Sequence, residues 1–191
     1  MSERSALLLL FAIGCVVGLI GDAAHVQAGI TEYLWEGVPS IWKSAIWFPL
    51  LVGGAMAGGA WLADRIGRGA RHEPRELLIA AALILGLYCL TTLVADASQI
   101  AANGLLWGIA LAIWLWWDPS PRALAFALLT MLVGPAAEIV MVALGASQYL
   151  TPYDGLFGVA EWLMPLYFAV GAVLSGALAA LSRPPATAPD G

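Results

Sequence analysis

The sequence predicts an all-α, polytopic membrane protein with six transmembrane helices and both termini on the cytoplasmic side. Three observations predict it. Of the 191 residues, 61% are hydrophobic and only 11% charged, where soluble domains run about 45–50% apolar and about 25% charged. The apolar residues gather into six stretches, each close to the roughly 20 residues that a helix needs to cross the hydrocarbon core. Of the eight Lys and Arg residues, only Lys43 falls on the opposite side of the resulting topology from the others. A single six-helix domain is expected over 1–183, followed by a disordered, Pro-rich tail over 184–191. Too little chain remains for a soluble catalytic, nucleotide-binding or nucleic-acid-binding domain.

The first span runs from Ala6 to Ala24, behind Arg4. Its Leu7–Ile20 core, with Val26-Gln27-Ala28 beyond, also fits a secretory signal with its cleavage site. Cleavage would leave the other five spans oriented as before. The second span is Ile41–Leu62, and the polar segment after it carries Arg65, Arg68, Arg71 and Arg75. Leu77–Val94 is the third. Ser98–Trp117 is the fourth, started by an Asp or Ser cap and followed by the turn Asp118-Pro119-Ser120-Pro121-Arg122, which leaves Asp118 exposed. Ala123–Leu144 is the fifth and Phe157–Leu181 the sixth, ahead of Arg183. None of these runs has the in–out alternation of a membrane barrel strand. Cytoplasmic loops retain Lys and Arg, so these arginines place both termini inside. Trp35, Trp42 and Trp162 then lie near the outer ends and Trp61, Trp116 and Trp117 near the inner ends, at headgroup depth where such rings anchor.

Lipid offers no hydrophobic force between helices, so small residues are needed for close approach. The pairs Gly14/Gly18, Gly54/Gly58 and Gly104/Gly108 have the four-residue spacing for it. The glycine-rich face of the second span also has room for a lipid tail. Glu138, near the middle of span five and three residues after Pro135, is a carboxyl group in hydrocarbon and therefore a functional candidate, with Thr130 or a polar group on another span as its partner. With Asp22 and His25, one turn apart on span one, it would make a proton-coupled carrier, the alternative reading. Gln99 and Asn103 share one helix face and are placed to hydrogen-bond the polar head of an amphiphile. Cys15 and Cys89 read as buried apolar thiols. No metal-ligand cluster, paired catalytic carboxylates, nucleophile elbow or phosphate-cradling loop is present, so neither an enzyme nor a cofactor is expected.

Several segments taken together resemble a known family. Gln27, Thr31 and Glu36 lead into Ser44-Ala45-Ile46-Trp47-Phe48-Pro49. Span four ends Leu115-Trp116-Trp117-Asp118. The fifth connection reads Gln148-Tyr149-Leu150-Thr151-Pro152, with Trp162-Leu163 and Pro165 beyond. This pattern is similar to the Insig family of six-span, lipid-responsive regulators of sterol synthesis and covers about 8–181. The resemblance implies a non-enzymatic protein that binds an oxysterol-like amphiphile in the membrane and then holds a partner's sterol-sensing domain, as in Scap or HMG-CoA reductase. Asp118 matches the cytoplasmic aspartate on which partner binding depends, although the family has two residues between Trp-Trp and that Asp and this chain has none. Where this chain has Glu138 the family has an uncharged polar residue.

Seven arginines against one lysine, with abundant Ala and Gly, point to a GC-rich bacterial genome and so to an inner membrane; a eukaryotic counterpart belongs in the endoplasmic reticulum. Diacylglycerol is then the commoner amphiphile with a small head. The expected function is a lipid-binding sensor whose helix packing with partners changes with ligand, and which self-associates or joins another membrane protein. The expected lipid site comprises Gln27, Trp47, Phe48, Gly53, Gly54, Gln99, Asn103 and Trp107, an apolar space between helices with a polar anchor at its mouth. Asp118 is the expected partner contact.

Overall fold

A computed structural model describes residues 1–67, 69–70 and 72–182. The expected tail at 184–191 lies outside the described residues, as do Arg68, Arg71 and Arg183. Six helices follow one another: α1 Glu3–Gln27, α2 Trp47–Ile66, α3 Pro74–Leu93, α4 Gln99–Trp117, α5 Pro121–Ala143 and α6 Leu163–Ser182. Local chemistry sets their starts. Ser2, Ser98 and Ser120 accept hydrogen bonds from backbone N–H groups of the first turns of α1, α4 and α5, and Glu73 with Glu76 forms a capping box around Pro74 for α3.

Two helices begin later than the apolar runs suggest. Trp42 and Lys43 take left-handed backbone angles (φ 50° and 69°), the conformation of a two-residue hairpin turn. They join β2 Ser40–Ile41 to β3 Ser44–Ala45 and postpone α2 to Trp47. Phe157 and Gly158 are likewise left-handed (φ 54° and 91°), which postpones α6 to Leu163. A second ribbon pairs β1 Thr31–Tyr33 with β4 Ser147–Tyr149 in antiparallel register, Thr31 opposite Tyr149. It ties the α1–α2 connection to the α5–α6 connection at one end of the bundle, here called the outer end. The sequence carried no expectation of either ribbon.

At the opposite end the amino terminus donates to the Leu181 carbonyl at 3.3 Å, so the two ends of the bundle's chain meet on one side. α6 is the central helix. It packs on all five others and is buried along nearly its whole length, as expected of a helix that is apolar all round. Its small residues make this possible: a Cβ on Gly171 would meet Thr130 Oγ1 at 1.7 Å and the Ala127 Cα at 2.8 Å. α1 and α2 approach as closely, through Gly14 and Gly18 against Gly53, Met56 and Val52. The other two expected contact stripes are corrected: Gly54, Gly58, Gly104 and Gly108 meet nothing within 4 Å and face outward. Among the described residues five helices are long and apolar enough to cross a membrane. α2, diluted by glycine, is the one below that hydropathy.

Four of the six tryptophans expected as anchors, Trp35, Trp42, Trp61 and Trp116, are exposed. Trp117 and Trp162 are instead buried, because Trp117 stacks on His72 (ring centroids 3.6 Å) and Trp162 packs with Tyr153 (5.7 Å). Cys15 and Cys89 are free and only half-buried.

Candidate lipid-head cleft at the outer end

α4 carries Gln99, Asn103 and Trp107 at four-residue intervals, which puts them in one stripe. The upper two line a cleft of about 150 Å³ with Ala95, Ala97, Ala102, Pro152, Tyr153, Gly155, Glu161 and Trp162. One wall is therefore the first turn of α4; the other is the connection 150–162 between β4 and α6. Inside it the Asn103 amide donates to Glu161 Oε2 at 3.2 Å. The Trp162 indole N–H, buried, has no partner. At the rim Tyr153 donates to Asp96 at 3.0 Å, which pushes the phenol's pKa up. Lower on α4, Trp107 packs edge-on against Phe168 of α6 (5.5 Å). That aromatic pair does not itself line the cleft.

The remaining expected lipid residues lie elsewhere. Trp47 and Phe48 open α2 and form an aromatic cluster with Tyr33 and Trp35 beneath the ribbon. Gln27 is exposed at the end of α1. Gly53 is packed against Phe11 and Cys15 of α1, whereas Gly54 is open. α2 packs on α1 and α6, and α4 on α6 and α3, so the two groups do not meet. A wider groove of about 310 Å³ between α1 and α3 is lined only by apolar residues such as Ile13, Val16, Ala81 and Leu85 and has no polar anchor.

A second polar system lies under the ribbon. Tyr33 of β1 donates to Asp22 of α1 at 2.7 Å, and Tyr149 of β4 and Tyr167 of α6 both donate to Glu138 of α5. Thr130, expected as a partner, instead bonds the Phe126, Ala127 and Tyr167 carbonyls. Asp22 and His25, expected one turn apart in interfacial water, are buried at 5% and 1% exposure. Thr91 donates to the Tyr88 carbonyl and so receives the His25 Nε2 proton across 2.6 Å.

Asp118 is the plainest departure from expectation. It is 4% exposed, not exposed, because its carboxylate is turned inward. Oδ1 accepts the Ser120 N–H at 3.0 Å and Oδ2 the Ala70 N–H at 3.2 Å. Burial alone would raise its pKa; the bonds from Ser120 and Ala70 and the Arg122 charge outweigh it and hold the carboxyl below its ordinary value. Arg122 itself donates to the Ser175 and Ala63 carbonyls, stitching α5 to α6 and α2.

No family model matches the chain. It is 41% identical over 187 residues to an INSIG protein homolog of Mycolicibacterium vanbaalenii, spanning 94% of this chain and 89% of that one. It is 26% identical over 170 residues to the insulin-induced gene 1 protein of Danio rerio, spanning 86% and 67%, and 25% identical to the human protein of that name, of which it spans 61%. The crystal structure of the mycobacterial Insig homolog MvINS superposes with a TM-score of 0.88 at 36% identity over 96% of this chain and 97% of that one. A cross-linked trimer of MvINS superposes equally well. An identity of this level over nearly the full length, together with the shared six-helix bundle, establishes that the chain belongs to the Insig family of multi-pass membrane proteins.

Proposed function

We propose that this chain is a non-enzymatic lipid sensor of a bacterial inner membrane, its termini cytoplasmic, which seats the head of a neutral amphiphile in the outer cleft and changes its helix packing with partners accordingly. The observation that carries this reading is the cleft itself. Asn103 and Trp162 offer N–H donors and Glu161 an acceptor. A hydroxyl group, which both donates and accepts, suits that set. The carboxylates of Glu161, Asp96 and Asp154 around it oppose a phosphate. Trp107, one turn below Asn103, continues the surface for a tail. Diacylglycerol and sterols both have this chemistry.

The carrier alternative has less support. Glu138, Asp22 and His25 all sit in the outer parts of their helices, and 6–21 of α1 and 123–137 of α5 contain no Asp, Glu, His, Lys or Arg. A proton would have to cross about 20 Å of apolar helix. Self-association is carried over from the mycobacterial trimer and assigned to the open Gly54/Gly58 stripe of α2.

The test is mass spectrometry of organic extracts from protein purified in mild detergent, followed by titration with a diacylglycerol. A stoichiometric neutral lipid is expected, with Asn103→Leu weakening the titration about tenfold through loss of one half-buried anchor. Recovery of bulk annular lipid alone, identical in both proteins, would sink the idea.

A further inference from the structure

Glu138 is a charge that neither the topology nor the cleft employs, and the chain positions of its two donors give it a role. Tyr149 closes β4 immediately before the connection 150–162; Tyr167 stands in α6 shortly after it. The stretch between these tyrosines supplies Pro152, Tyr153, Gly155, Glu161 and Trp162 to the cleft. Its two roots therefore hang on the two oxygens of one carboxylate, Tyr149 on Oε2 and Tyr167 on Oε1, the latter at 2.6 Å. The Tyr167 ring lies so close over α5 that a Cβ on Gly134, one turn before Glu138, would come within 2.2 Å of it. Only glycine there lets the phenol reach. Both bonds are part-buried, whereas the ties from Thr151 to Asp154 and from Tyr153 to Asp96 are exposed, and a hydrogen bond sheltered from water is electrostatically stronger than one in it.

Resting on the lipid-binding reading of the cleft, we propose that Glu138 is a positioning residue: it pins both roots of 150–166 and so holds that wall of the cleft in the shape that receives an amphiphile's head. It touches no ligand. Its effect passes through Tyr149 and Tyr167.

Hydrogen exchange of the full chain in lipid nanodiscs, read by mass spectrometry, tests this without any ligand. Glu138→Leu should speed exchange over 150–162 by about tenfold or more while α1 to α4 keep their protection. Glu138→Gln, which keeps one acceptor oxygen, should restore part of it. Tyr149→Phe and Tyr167→Phe loosen one root each and stand in if Glu138→Leu fails to fold. Affinity for added diacylglycerol should fall in the same order. Unchanged exchange over 150–162 in these variants overturns the proposal, as does acceleration spread evenly over all six helices. Acceleration confined to the wall, with no saturable diacylglycerol binding even by the unaltered protein, supports the pin and removes the lipid reading alone.

Discussion

Asp118 stands in a turn whose two prolines, Pro119 and Pro121, restrict the backbone, and the sequence correctly marks both the turn and the end of α4. It does not show where the carboxylate points. That depends on the Ala70 N–H, supplied by a connection 48 positions away. Asp118→Ala would take this acceptor from the part-buried Ala70 and Ser120 N–H groups at a cost of about 1 kcal/mol. Thermal unfolding in detergent should register the loss, and exchange at Ala70 should quicken. Because the folded-state pKa is depressed, this stabilisation is complete above the ordinary carboxylate value of about 3.9 and fades as the pH falls through the depressed value. Ala70 exchange in unaltered protein, followed below about pH 4 and corrected for intrinsic rates, should show the same loosening. No such pH effect should remain in Asp118→Asn. Glu138 is the opposite case: an apolar context alone marks it as a candidate, but its phenolic donors, 11 and 29 positions on, have no local signature.

Among the elements, the helices were legible because length and apolarity suffice to define a span. Ser98 as cap follows from local sequence as well. The ribbons were not legible, since a strand of two or three residues has no periodicity to read, and Trp42, Lys43 and Phe157 give no compositional hint of left-handed backbone. Glycine spacing nominated three helices equally; only neighbours distinguish Gly14 and Gly18, in contact, from Gly104 and Gly108, open. α6, which carries no such expected pair, approaches α5 just as tightly through Gly171. Gly171→Val should therefore force α5 from α6 and cost about 3 kcal/mol by overpacking. Gly108→Val, into open space, should be near neutral. Equal melting temperatures for the two variants would contradict this arrangement.

For the molecule as a whole, assembly is the property least visible from one chain. α2 presents Gly54 and Gly58 to the outside with nothing against them, and an exposed small-residue stripe of this spacing suits close approach of another helix better than contact with lipid. Chemical cross-linking in native membranes should yield discrete oligomers from the unaltered protein and mostly monomer from Gly58→Leu, with unchanged monomer stability. Oligomers that persist in that variant would move the contact away from α2.

The sequence by itself determined the class and the number and order of helices, because a bilayer demands long apolar runs; the family was legible from the segments Trp116-Trp117-Asp118 and Gln148-Tyr149-Leu150-Thr151-Pro152 instead. Of the expected lipid set it put Gln99, Asn103 and Trp107 on one stripe of α4, since helical spacing is local. Only the tertiary structure decided that Trp47 and Phe48 lie apart from them, that Glu161 and Trp162 complete the cleft, and that Asp118 faces inward. Those facts depend on which helices touch α6, and that is set by steric fit between distant glycines, tyrosines and aromatic faces rather than by any pattern along the chain.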